Sequence, residues 1–136
     1  MTVPPDARAP RVLLVEDEEL NRILVRAVLT RAADSRVRAI ELIEAPTLAE
    51  ARQQLVGPID VVLLDMNLPD GNGLSLAAEL VKHPHRPAVI ALTASVLPRD
   101  RSAAIEAGCD GFLDKPYAAA DLVRMSEPTT RTGAPR

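Results

Sequence analysis

The chain has 136 residues, 47% of them hydrophobic and 26% charged, with a formal net charge of −3. That length suits a single domain able to bury a core without covalent staples. The acidic balance excludes a general electrostatic affinity for nucleic acid, no apolar run approaches the roughly 18 residues of a membrane span, and the lone Cys109 allows no internal disulfide.

Three prolines fall within the first ten residues, so 1–10 reads as a loose arm. It carries no apolar stretch of the kind a secretory leader needs, and with the single cysteine this makes the cytoplasm the expected compartment. "RVLLVE", from Arg11 to about Glu16, reads as a buried strand. Leu20, Ile23, Leu24, Ala27 and Val28 then fall on one helical stripe. Arg38 to Ala45, with Ile40 and Leu42 alternating with charge, predicts a half-exposed edge strand. The next helix starts at "PTLAEARQQL", with Thr47 a candidate N-cap and Glu50 three residues on, and ends at Gly57-Pro58. "IDVVLLD" is the most continuously apolar strand. The turn "NLPDGNG" leads from it to a helix with Leu74, Ala77, Ala78 and Val81 on one face.

His83 and His85 lie in the polar loop "KHPHRP" and read as solvated loop residues, not metal ligands. "AVIALTAS" is a fourth strand. A helix from Pro98 to Ala107 stops at Gly108, "GFLDKP" is a short fifth strand, and Ala118 to Met125 starts a last helix that Pro128 cuts short. Cys109 reads as a structural thiol, and the core must be aliphatic because Phe112 and Tyr117 are the only aromatic residues. Strand and helix alternate five times, which argues for a parallel sheet covered by helices on both faces.

Ligands of open parallel sheets bind beyond the carboxyl ends of the strands. There the first strand delivers Glu16 and Asp17, the third Asp65, the fourth Thr93 and the fifth Lys115. Each has an ordinary reading. The acids suit a helix start or a turn, Thr93 a strand end, Lys115 a solvated loop. Together they are three acids, a hydroxyl and an ammonium on one edge. Clustered carboxylates repel unless a cation relieves them, and Mg²⁺ favours a few carboxylates, waters and phosphate oxygens. An aspartate can accept a phosphoryl group, whose oxygens need a cation and hydrogen-bond donors. The residue types fit phosphoryl transfer to Asp65.

The stretches "VLLVEDEELNR", "VVLLDMNLPDGNG", "ALTAS" and "AGCDGFLDKP", in that order, resemble a receiver domain of two-component response regulators, most similar to receivers of hybrid kinases and stand-alone regulators. The resemblance implies a flavodoxin-like, doubly wound α/β fold with five parallel strands in the order 2-1-3-4-5. It implies a receiver over 11–126 followed by a flexible tail, 127–136. Asp65 would be the phosphoacceptor. Mg²⁺ would be held by Glu16, Asp17, Asp65 and the Asn67 carbonyl. Lys115, joined to Pro116 by a peptide bond that is commonly cis in the family, would contact the phosphoryl group. Thr93 would bond a phosphate oxygen, with Phe112 as the aromatic switch. Ala94 would leave the site open, and Asn67 and Ser95 would tune hydrolysis. The implied partners are a histidine kinase or histidine phosphotransfer protein as donor and an unspecified downstream protein. Such a receiver catalyses its own phosphorylation and slow dephosphorylation and is not an enzyme with turnover on other substrates. No helix-turn-helix follows Met125, so no direct contact with nucleic acid is expected.

Three other readings stand beside it. A phosphatase of haloacid-dehalogenase type also puts an aspartate nucleophile at a strand end, but wants a second acid two residues on, where this chain has Asn67. A flavodoxin-like nucleotide binder needs a glycine- or hydroxyl-rich loop after the first strand, and "VEDEELNR" is acidic. A receiver acting by interaction alone needs none of the five polar strand ends.

Overall fold

The computed structural model describes residues 9–33, 35–83, 86–93 and 97–114. His85, Ala94, Ser95, Lys115, Pro116, the helix expected from Ala118 to Met125, the tail and most of the N-terminal arm lie outside these residues.

Five strands form one parallel sheet: β1 (Arg11–Val15), β2 (Glu41–Ala45), β3 (Val61–Asp65), β4 (Ala88–Thr93) and β5 (Gly111–Asp114), in the order β2-β1-β3-β4-β5. This is the expected 2-1-3-4-5 order. Between the strands lie α1 (Glu19–Thr30), a single helical turn at Ser35–Arg38, α2 (Leu48–Gln54), α3 (Gly73–Val81) and α4 (Pro98–Glu106). The edge strand therefore begins at Glu41 and not at Arg38, because Ser35–Arg38 closes a turn whose Val37 is buried.

Strand residues point alternately to opposite faces, and both faces of the three central strands are apolar. Leu13, Val15, Val62, Leu64, Val89 and Ala91 face a core built with Leu48 and Ala51 of α2, Leu76, Ala77 and Leu80 of α3 and Ala104 of α4. Val12, Leu14, Val61, Leu63, Ile90 and Leu92 face a second core with Val25 and Leu29 of α1 and Val37. Continuous apolar strands are the mark of a sheet covered on both sides. Each fully buried Leu or Val removes enough apolar surface from water to contribute on the order of 1.5–3 kcal/mol.

Two helices are rotated from the expected faces. On α1, Leu20 is 79% exposed and Ile23 and Leu24 each 42%, while Val25 and Leu29 are buried. Two apolar stripes compete on this helix, and the one buried shares its side with Asn21 and Arg22. Those polar residues hydrogen-bond to the end of β1 and so fix the rotation. On α3 the inward residues are Gly73, Leu76, Ala77 and Leu80, whereas Ala78 and Val81 are exposed. Gly73 sets this rotation. A Cβ on it would lie 2.2 Å from the Asp65 carbonyl oxygen, so only glycine lets the start of α3 pack on the end of β3. Asn72 caps the helix by accepting the Leu74 N–H at 2.8 Å, and the Gly73 N–H donates to the Met66 carbonyl at 3.0 Å. Gly73→Ala is expected to lower the unfolding free energy by about 1–3 kcal/mol through this overpacking, as read from urea denaturation.

Candidate functional site

Register builds the site. Val15 of β1 pairs with Leu64 of β3 in adjacent parallel strands, so the next residues, Glu16 and Asp65, emerge side by side. Glu16 is fully buried and Asp65 only 4% exposed, while Asp17 is exposed. Glu16, Asp17 and Asp65 each offer a carboxylate oxygen, and these oxygens lie within 4.8 Å of one another. This is the one metal-capable cluster among the described residues, and His83 is not in it. Two buried carboxylates beside a third carry a desolvation and repulsion cost that a hard divalent cation offsets. An all-oxygen donor set fits Mg²⁺.

Backbone and side-chain donors orient the acids. Glu16 Oε2 accepts the Glu18 N–H at 3.2 Å, and Oε1 accepts from Asn21 Nδ2 at 3.2 Å. Asp65 Oδ1 accepts the Asn67 N–H at 3.2 Å. Beyond Met66 the chain folds back on itself, Asn67 pairing with Asn72 and Leu68 with Gly71 in a short antiparallel ladder. Asp70, in the bend of this loop, accepts the Leu48 and Ala49 N–H groups at 2.9 and 3.1 Å. It shares the start of α2 with Thr47, whose side chain accepts the Glu50 N–H. Three of the free N–H groups of that helix end are thereby satisfied, and the loop after Asp65 is fastened to α2.

Thr93 ends β4, and Phe112 lies on the neighbouring β5; the two border one cavity of about 160 Å³ together with Met66, Asn67 and Arg101. The Arg101 guanidinium stands 4.7 Å over the Phe112 ring and pairs with Asp114 at 2.6 Å. Lys115 follows Asp114 directly but lies outside the described residues. Cys109 is 7% exposed, and burial pushes its thiol up to about 11; a thiol so rarely ionised is a poor nucleophile, in keeping with a structural role.

Sequence reading thus placed Glu16, Asp17, Asp65 and Thr93 at the right strand ends. It missed Asn21, which donates to the Glu16 carboxylate, and Arg22 and Asp70, whose partners here are backbone groups. For Asn21 and Arg22 the available clue was two polar residues on what would be the inner side of α1.

An open five-stranded parallel sheet with clustered carboxylates at its carboxyl edge defines the class of protein. Residues 12–127 match the model of the response regulator receiver domain. The chain belongs to that family and is a receiver domain of two-component signalling. Over 122 residues, 86% of the chain, it is 38% identical to the aerobic respiration control sensor protein ArcB of Escherichia coli, of which it spans 15%. It is 34% identical to the rice two-component response regulator ORR41, covering 82% of this chain and 87% of that protein. Among solved structures it resembles the receiver domain of the sensor histidine kinase PA1611 of Pseudomonas aeruginosa. That likeness has a TM-score of 0.73 and 30% identity, over 87% of this chain and 94% of that one; a magnesium ion is coordinated in the active-site cleft of that protein. The family match leaves the dehalogenase-type phosphatase without support.

Asp70 yields a pH prediction. The Leu48 N–H, ahead of the Ala49 N–H and the Arg52 charge, holds its carboxyl below the usual carboxylate range. A lowered folded-state pKa contributes stability above the unfolded value, near 4, that is lost as pH falls through the folded value. Native protein is expected to melt above Asp70→Asn at pH 7. The gap should close below about pH 4, as followed by thermal denaturation across pH.

Proposed function

We propose that Asp65 accepts a phosphoryl group from a phosphohistidine on a histidine kinase or histidine phosphotransfer protein, and that this changes binding to a downstream protein. The observation that carries the reading is the juxtaposition of Glu16, Asp17 and Asp65 on two adjacent strand ends. Glu16, Asp17, Asp65 and the Asn67 carbonyl are the groups that would hold Mg²⁺. Once bound, that ion supplies positive charge to the carboxylates and to the oxygens of the transferring group.

The chain's own residues do the rest. The Asn67 N–H bonds Asp65 Oδ1 and helps fix the carboxylate plane, and a carboxylate oxygen of Asp65 attacks phosphorus. A P–O bond forms as the donor's P–N bond breaks, and the leaving imidazole keeps the electron pair. Lys115 is the ammonium assigned to the phosphoryl oxygens. Thr93 is the hydroxyl that bonds one of them, and its move toward the site opens the shared cavity to Phe112. Exposure of Asp17 gives a donor access from solvent. Leu20, Ile23 and Leu24 stand exposed on the helix that begins two residues later, an apolar patch suited to a donor protein seated beside the site.

Incubation with a small phosphodonor such as acetyl phosphate should label the protein to at most one equivalent, only with Mg²⁺ present. Asp65→Asn should abolish the label. Persistence of the label in that variant sinks the assignment, and release of many equivalents of phosphate from a simple ester would return the phosphatase reading.

Phe112→Ala is expected to label like the native protein yet bind its downstream partner at least about tenfold more weakly when phosphorylated, about 1.4 kcal/mol. Isothermal titration of the labelled proteins with that partner reads the difference; equal affinities would remove Phe112 from the switch.

A further inference from the structure

We propose that Arg22 is a positioning residue for the acidic pair, holding the Glu16 and Asp17 peptides so that both carboxylates face Asp65 before a cation arrives. The inference rests on the reading of these acids as a divalent-cation site. One nitrogen, Arg22 Nη1, donates to the Glu16 carbonyl at 2.8 Å and to the Asp17 carbonyl at 3.0 Å. These are the first two peptides beyond the end of β1. The Glu16 N–H still reaches Ala45 of β2, at 3.1 Å. With its N–H tied to β2 and its carbonyl tied to α1, Glu16 has a fixed backbone, and its side-chain direction follows.

The arginine is itself held. Its side chain is 18% exposed and its Nε lies 3.5 Å from Glu44 Oε1. Glu44 is gripped in turn by Arg26, with Nε at 3.0 Å and Nη2 at 2.7 and 2.8 Å. Glu44, shared with Arg26, therefore offsets only part of the Arg22 charge, and it holds the guanidinium with Nη1 toward the two carbonyls. The planar fork allows both tasks at once, which an ammonium cannot do. Asn21 from the same helix turn adds a bond to the Glu16 carboxylate. Groups that orient metal ligands without touching the ion change metal affinity by roughly 10–100-fold when removed.

Charge and positioning predict opposite signs, which makes the test sharp. Removing a positive charge beside a cation site should by Coulomb attraction alone tighten Mg²⁺; loss of positioning should weaken it. Mg²⁺ affinity of the whole chain is measured by isothermal titration at 15 °C for the native protein, Arg22→Ala, Arg22→Lys and Arg52→Ala. The last breaks the ion pair to Glu79 on the α2 and α3 surface and controls for a general loss of stability. Circular dichroism establishes that each variant is folded at that temperature. The expected result is binding weaker by about tenfold or more in Arg22→Ala, an intermediate loss in Arg22→Lys, and Arg52→Ala within twofold of native. Arg22→Ala within twofold of native, or tighter, overturns the proposal. Should Arg22→Ala not fold, Arg22→Lys decides by the same twofold threshold. Absence of Mg²⁺ binding by the native chain overturns the cation reading itself along with this one, a failure distinguishable from unchanged affinity in the variants.

Discussion

Two carboxylates buried side by side at the ends of neighbouring parallel strands are the constraint on which this molecule turns. Glu16 and Asp65 are brought together by the β1–β3 register, one residue beyond the Val15–Leu64 pair. Burial of like charges is among the costliest arrangements a fold can hold. A chain tolerates it when surrounding structure enforces it and when function uses the stored electrostatic demand. The central strands meet the first condition. Their residues are buried on both faces of the sheet, so neither strand can slip without turning apolar side chains out of a core.

The same demand explains the detail around the site. Backbone donors and Asn21 engage the carboxylates, Arg22 engages the carbonyls behind them, and Asp70 fastens the loop that follows Asp65. These contacts reach the site from α1, β2 and α2, so the edge of the sheet is rigid on several sides. Asp17 and the cavity beside Thr93 remain accessible. Rigid acids next to an open face suit the proposed binding of a cation and approach of a phosphodonor.

The rotation of α1 shows how a polar requirement overrides apolar patterning. The stripe of Leu20, Ile23 and Leu24 has the spacing of a buried face, yet the helix buries Val25 and Leu29. Turning the first stripe inward would carry Asn21 and Arg22 away from the end of β1 and strand the groups they bond. The stranded polar groups would cost about 1–3 kcal/mol each, comparable with the apolar burial forgone. The outcome leaves an apolar patch beside the acidic opening.

The order of strands and helices, the two-sided core and the polar residues at the strand ends were legible in the chain alone. All of them follow from short-range periodicity and from the rule that parallel sheets gather ligands at one edge. Thr47 as a helix cap was legible for the same local reason. Which face α1 and α3 bury was not, because each helix carries more than one apolar stripe and the choice falls to contacts made far away in sequence. Gly73 against the Asp65 carbonyl, Asp70 on α2 and Arg22 on the Glu16 and Asp17 carbonyls belong to the same group. Their partners are backbone atoms, which every residue possesses and no pattern of side chains marks. Only the folded register brings a particular peptide group within reach of a particular donor or acceptor.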